Sequence, residues 1–198
     1  MLIIIEGLDG AGTTTQAERL VQRLQSINYP AILTCEPSTG PIGTFLRQVL
    51  RQKTQLTAQT LSLLFSADRA DHLARDILPH LDSGKLVVCD RYYHSTLAYQ
   101  GLDVSYDWIL QLGSCFRRPD LTIFLDTDPE TAFARRKKAG RSDELFDALH
   151  LQKRIHASYH QVLKLLSPRE VIRIVDGNLP PDQVANAVWH AVQEVRAR

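Results

Sequence analysis

The feature that most limits what this chain can fold into is a glycine-punctuated turn between two apolar elements: Gly7-Leu8-Asp9-Gly10-Ala11-Gly12-Thr13-Thr14-Thr15. Before it stands Leu2-Ile3-Ile4-Ile5, a short apolar run rich in β-branched residues, which reads as a buried strand. After it, Ala17, Leu20, Val21 and Leu24 recur at helical spacing, the pattern of an amphipathic helix. Glycines at 7, 10 and 12 let the backbone curl so that its N–H groups point inward. The helix start adds unpaired amides and the positive end of its dipole. Strand, turn and helix together make a cradle for phosphate oxygens.

The spacing approaches the phosphate-binding loop G-x-x-x-x-G-K-[ST]. Gly7, Gly12 and Thr14 occupy the required places, and Thr13 stands where that pattern has lysine. The Thr14 hydroxyl is placed to reach a magnesium ion on a nucleotide, whereas Thr13 has no charge to set against the β- and γ-phosphates.

A chain of 198 residues is long enough for one domain with a full core. Its 23 Lys and Arg nearly balance 22 Asp and Glu, which argues against nucleic acid or a membrane surface as the main partner. Cys35, Cys89 and Cys115 are far apart with no C-x-x-C, as expected of reduced thiols in a cytoplasmic protein. The N-terminal apolar run is too short for a signal peptide or a membrane span. The expectation is a single cytoplasmic domain over residues 1–198.

Further strands are predicted at Ala31-Ile32-Leu33-Thr34, Leu86-Val87-Val88-Cys89, Leu121-Thr122-Ile123-Phe124-Leu125 and Val171-Ile172-Arg173-Ile174-Val175. Between them fall helical patterns. One carries Ile42, Phe45, Leu46, Val49 and Leu50 on one face; another runs over residues 57–81 with Leu61, Leu64, Phe65, Leu73 and Ile77 inward and Pro79 near its end. Others are expected from about Ser95, over 106–116, after Pro129, over about 143–166 and over 180–195. Strands alternating with helices predict a doubly wound α/β sheet, with continuous apolar strands covered on both faces. Ligands in such sheets gather at the carboxyl ends of the strands. That rule gathers the glycine loop, Glu36, Asp90-Arg91 and Asp126 into one neighbourhood. Asp90 stands where phosphate-loop proteins commonly hold magnesium, and Arg91 can fork onto phosphate oxygens.

From here the chain resembles the thymidylate kinase family. The resemblance is carried by Asp90-Arg91-Tyr92 with Ser95-Thr96-Leu97-Ala98-Tyr99-Gln100-Gly101, by Thr34 with Glu36-Pro37, by Phe65-Ser66-Ala67-Asp68-Arg69, and by Arg118-Pro119-Asp120-Leu121-Thr122-Ile123-Phe124-Leu125-Asp126. The order and spacing fit the whole chain. The resemblance implies a P-loop NTPase architecture, three α/β/α layers with a five-stranded parallel sheet and a short lid at about 135–145. It implies phosphorylation of dTMP to dTDP with ATP and Mg2+, and a homodimer.

By that resemblance Gly7, Leu8, Asp9, Gly10, Ala11, Gly12, Thr13, Thr14 and Thr15 bind ATP, with Thr14, Asp90 and Glu36 at the metal. Phe65 stacks on thymine, and Arg69, Thr96 and Gln100 address the base edge. Tyr99 crowds the sugar 2′ position, Asp9 meets the 3′-hydroxyl, and Arg47 and Arg91 hold the 5′-phosphate. Glu36 holds water or magnesium near the acceptor. Catalysis falls to Arg91, Asp90, Asp9 and a lid cation.

Two departures remove positive charge: Thr13 for the loop lysine, and Cys35 where bacterial members commonly have arginine before Glu-Pro. The basic run Arg135-Arg136-Lys137-Lys138-Ala139-Gly140-Arg141 would compensate, with Arg141 and Arg136 over the donor phosphates and Arg135 over the adenine. Two other readings stay open: a nucleotide-binding protein with weak or no kinase activity, and a kinase for another deoxynucleoside monophosphate. His156 and His160 stand four apart on a predicted helix, but no accompanying Glu/His pattern marks a metal site, so they read as an exposed pair.

Overall fold

The computed structural model describes residues 1–140 and 145–197. Its strands are β1 (Leu2–Gly7), β2 (Ala31–Cys35), β3 (Leu86–Asp90), β4 (Leu121–Asp126) and β5 (Ile172–Asp176). They form one parallel sheet in the order β2-β3-β1-β4-β5. The helices are α1 (Thr13–Ser26), α2 (Pro41–Arg51), α3 (Ala58–His72), α4 (Leu78–Asp82), α5 (Tyr93–Gln100), α6 (Tyr106–Leu112), α7 (Pro129–Lys138), α8 (Leu149–Leu166) and α9 (Pro181–Arg196). This is a doubly wound, five-stranded parallel α/β fold. No helix among the described residues is long and apolar enough to cross a membrane.

The alternation of side chains along β1 builds both cores. Ile3 and Ile5 join the cluster made with Leu20 and Leu24 of α1 and Val188 and Val192 of α9. Leu2 and Ile4 point the other way, into the cluster with Leu97, Ile109, Val162 and Leu166. The central strands β3, β1 and β4 are buried almost throughout, whereas the edge strands β2 and β5 are partly open. Strand order puts β1 between β3 and β4, so the glycine loop that follows β1 emerges beside Asp90 and Asp126.

Some expected elements end elsewhere. The 57–81 helix is divided: one π-helical turn, Leu73–Ile77, separates α3 from α4. It lies just ahead of Pro79, which has no N–H to continue an α-helical ladder. The helix over 106–116 stops at Leu112, with Gly113 and a turn after it. Phe45 is 50% exposed, not inward. The buried stripe of α2 is Gly43, Leu46 and Val49, and one residue off that stripe is a turn of about 100° toward solvent. α8 begins at Leu149, later than expected; residues 141–144 lie outside the described residues.

Candidate active site

The loop after β1 is built on two left-handed glycines, Gly10 (φ +94°) and Gly12 (φ +96°), a conformation that costs glycine little. Gly10 also passes close to α7: a Cβ there would lie 2.3 Å from the Ala132 carbonyl oxygen. Leu8 and Ala11 are buried in the core cluster, so Leu8 has only backbone to offer a phosphate. Residues 9–16 line a cleft of about 300 Å³ together with Asp90, Arg91, Arg135 and Arg136. Thr13 and Thr14 open α1 at the floor of this cleft.

The Thr14 hydroxyl donates to Asp90 Oδ2 at 2.5 Å. The other oxygen, Asp90 Oδ1, is buried and has no hydrogen-bond partner among the described residues. A hydroxyl beside a carboxylate with one uncommitted buried oxygen is a hard oxygen donor set, the kind that suits magnesium.

A second cleft of about 150 Å³ is lined by Glu36, Phe65, Arg69, Thr96, Tyr99 and Gln100, and again by Asp9 and Arg91. Four separate segments of sequence thus meet here. Arg69 is nearly fully buried; its Nη2 lies 2.7 Å from Glu36 Oε2 and its Nε donates to the same oxygen at 2.9 Å. Its Nη2 also donates to Thr96 Oγ1 at 3.2 Å. His72 lies 3.3 Å from Glu36 Oε1. Burial pulls the imidazole pKa down, but the Glu36 hydrogen bond and charge outweigh it, so the net shift is upward.

Two placements bear on the expected roles. Glu36 lines the smaller cleft, apart from Thr14 and Asp90, and its carboxylate is engaged by Arg69 and His72, partners that offset the cost of burying its charge. Arg47 lines neither cleft. Its Nη1 donates to the Pro37 carbonyl at 2.5 Å, and the guanidinium ties α2 to the loop after β2.

Arg91 stands at the junction of the two clefts. Its Nη2 donates to Asp9 Oδ1 at 2.7 Å, and Tyr99 donates to Asp9 Oδ2 at 2.9 Å. Its Nη1 donates to Ser95 Oγ at 3.1 Å and to Tyr159 Oη at 3.2 Å. Both of those hydroxyls donate in turn to Glu6 Oε2, at 2.6 and 2.9 Å. Glu6 is fully buried and also receives the Tyr92 amide at 2.7 Å. Burial works against the charge on Arg91, but Tyr99 and Asp9 more than offset it, and its pKa is raised well above the ordinary value. The guanidinium is a fixed cation.

On α7, Arg135 Nη1 donates to the Gly177 carbonyl at 2.7 Å. Arg136 is buried and pairs with Asp147 at 2.7 Å. Both arginines line the larger cleft. Arg141, the other expected lid cation, lies outside the described residues. At the two departures from the motif, Thr13 is buried at the loop, and Cys35 is a free thiol whose pKa is raised, chiefly by burial, with Arg47 acting the other way.

Sequence reasoning missed Glu6 and Tyr159, which hold Arg91, and Phe146, which lines the smaller cleft and meets Tyr99 edge-on at 5.3 Å. Glu6 had a signal: a carboxylate ending an apolar run has to find partners when that run is buried. Tyr159 had none beyond its place on the inward face of α8.

Compared with known proteins, residues 5–188 match the model of the family described as thymidylate kinase. The chain is 40% identical over 205 aligned positions to the thymidylate kinase of Thermomicrobium roseum, covering 99% of this chain and 96% of that one. It is 38% identical over 182 positions to a probable thymidylate kinase of Pyrococcus horikoshii, covering 88% and 86%. It is 36% identical over 203 positions to the thymidylate kinase of Ruegeria pomeroyi, covering 97% and 94%.

Proposed function

This chain belongs to the thymidylate kinase family, and from that premise we propose how its own residues move the ATP γ-phosphoryl group onto dTMP. It is a phosphotransferase that makes dTDP from dTMP. The observation that carries the reading is that Asp9 and Arg91 line both clefts. Two nucleotides seated in those clefts meet at that pair.

The ATP phosphates lie in the larger cleft against the amides of the glycine loop and the start of α1. Its ring faces the apolar end formed by Leu179, Pro181 and Val184, with Arg135 beside it. In the smaller cleft Phe65 offers an aromatic plane to thymine, while Arg69, Thr96 and Gln100 meet the base edge. Tyr99, held by Asp9, crowds the sugar. Arg91 has one nitrogen on Asp9 and the other on Ser95 and Tyr159, so it enters the space between the phosphates already oriented.

Thr14 and Asp90 would hold magnesium; when bound it supplies positive charge to the donor phosphates. The acceptor phosphate is largely dianionic near pH 7, its second pKa being about 6, so no strong general base is required. Alignment and cation placement by Arg91, with Arg136 and Arg141 from the lid, lower the repulsion between the two phosphates. Family membership also carries the expectation of a homodimer in the cytoplasm; light scattering of the purified chain tests the dimer.

A coupled ADP-release assay with dTMP, dUMP and dCMP, with and without magnesium, tests the reading. Release that depends on dTMP and on magnesium is expected. Nucleotide binding by thermal shift without dTMP-dependent turnover would overturn it.

A further inference from the structure

Outside both clefts, the end of β4 meets the exposed face of α8 in a cluster of a different chemistry. Asp126 Oδ1 lies 2.6 Å from His156 Nε2 and 3.4 Å from His160 Nε2. One potential ligand atom from each of the three residues falls within 4.8 Å of the others. The two imidazoles are one helical turn apart and stack edge-on at 4.7 Å between centroids, so α8 presents both to the same point. The third member is brought by the sheet, not by the helix. That is why the spacing of the histidines alone gave no metal pattern.

We propose that Asp126, His156 and His160 form a binding site for a borderline divalent transition-metal ion of the Zn2+, Co2+ or Ni2+ class. Two neutral imidazoles and one carboxylate are the donor types such ions take. Zinc bonds of about 2.0–2.2 Å set tetrahedral ligands about 3.4 Å apart. The His160–Asp126 separation already has that value. The His156–Asp126 contact is a hydrogen bond at 2.6 Å and opens by under about 1 Å to admit an ion. The side chains are 22%, 43% and 31% exposed for His156, His160 and Asp126. An ion can therefore enter from solvent and keep water on its open side.

The surroundings suit a cation that prefers nitrogen. Phe124, fully buried, lies beneath both rings at 6.5 and 5.8 Å between centroids and forms an apolar floor. Lys153 on α8 and Glu130 on α7 are paired with each other at 2.6 Å, and Asp176, opposite Asp126 in the β4–β5 register, adds a second carboxylate at the strand ends. Magnesium, which prefers oxygen and retains water, is directed instead to Thr14 and Asp90. An ion on the cluster would fasten α8 to the end of β4, from which α7 begins three residues later.

The test uses the full chain without an affinity tag, stripped with chelator and kept in millimolar magnesium so that the oxygen site is saturated. Zn2+ is titrated against a chromophoric competitor, and Co2+ is followed by its visible ligand-field bands. One equivalent of saturable binding is expected. His160→Asn and His156→Asn should each weaken it about tenfold or more, and His190→Asn, on the exposed face of α9, should leave it unchanged. Each variant's melting temperature without metal is measured first; the more exposed His160 supplies the variant expected to stay folded if the His156 change does not. Absence of one-equivalent binding, or binding that survives both changes on a folded chain, overturns the proposal.

Discussion

Arg91 reaches Asp9 across 2.7 Å, and these two side chains form the wall that both clefts share. The backbone of Arg91 is left-handed, with φ +72°, a conformation that costs a non-glycine residue about 1–3 kcal/mol. Its amide donates to the Ile5 carbonyl at 3.0 Å. Interactions on both the backbone and the guanidinium hold the strained residue in place.

Arg91→Lys keeps the charge and loses the planar fork that joins Asp9 to Ser95 and Tyr159. The expected result is a fall in kcat of about 10²–10³ with little change in melting temperature. Steady-state kinetics beside a thermal melt check it.

Thr13→Lys restores the ammonium the loop lacks. Arg136 already lines that cleft, so the expected gain in kcat is under about tenfold, well short of what a well-placed stabiliser is worth. Arg136→Ala and Arg141→Ala should each cost more rate than Thr13→Lys returns. A large gain from the lysine, or unchanged turnover in both alanine variants, would show that the lid does not compensate.

Gly10→Ala puts a Cβ 2.3 Å from the Ala132 carbonyl oxygen at φ +94°. The clash is with backbone, which has no rotamer to yield. A loss of about 1–3 kcal/mol from backbone strain is expected, with weaker ATP binding because the loop and α7 must separate. Urea unfolding and nucleotide titration measure the two effects.

His72 gives a pH signature. Its pKa in the folded chain is raised: burial opposes the charge, and Glu36 foremost, with Asp76 and Asp68, outweighs burial. Thr34 Oγ1 completes its surroundings at 2.7 Å. A raised pKa means stability that is fully present below the unfolded value, about 6.5, and lost as pH rises through the folded value. Wild type should therefore exceed His72→Gln in stability most at about pH 5.5, and the gap should narrow by about pH 8.5. Urea melts at the two values decide it; a gap that widens with pH would contradict the sign.

The readable parts of the site were those with a local signature. Gly10 and Gly12 advertise a left-handed turn, and the tract from Asp90 to Gly101 carries Arg91, Thr96, Tyr99 and Gln100 in one run. Arg47 shows the limit. A lone arginine on an amphipathic helix has no pattern to say that it will reach back to the Pro37 carbonyl at the rim of the smaller cleft. Phe45 shows the same limit for packing: its hydrophobicity placed it inward, and the width of the buried stripe on α2 left it out.

The amino-acid sequence by itself determined the strand–loop–helix at the N-terminus, the alternation that makes the sheet parallel and covered, and the family. Each depends on residues a few positions apart or on motifs read in order. Only the tertiary structure decided that Glu6 would reach Tyr159, 153 residues on, to hold Arg91, and that Asp126 would stand between His156 and His160. Those groupings follow from strand order, which seats β1 between β3 and β4 and lays α8 across their ends. A neighbourhood made by the crossing of distant segments has no period along the chain, because its spacing is set by packing in three dimensions.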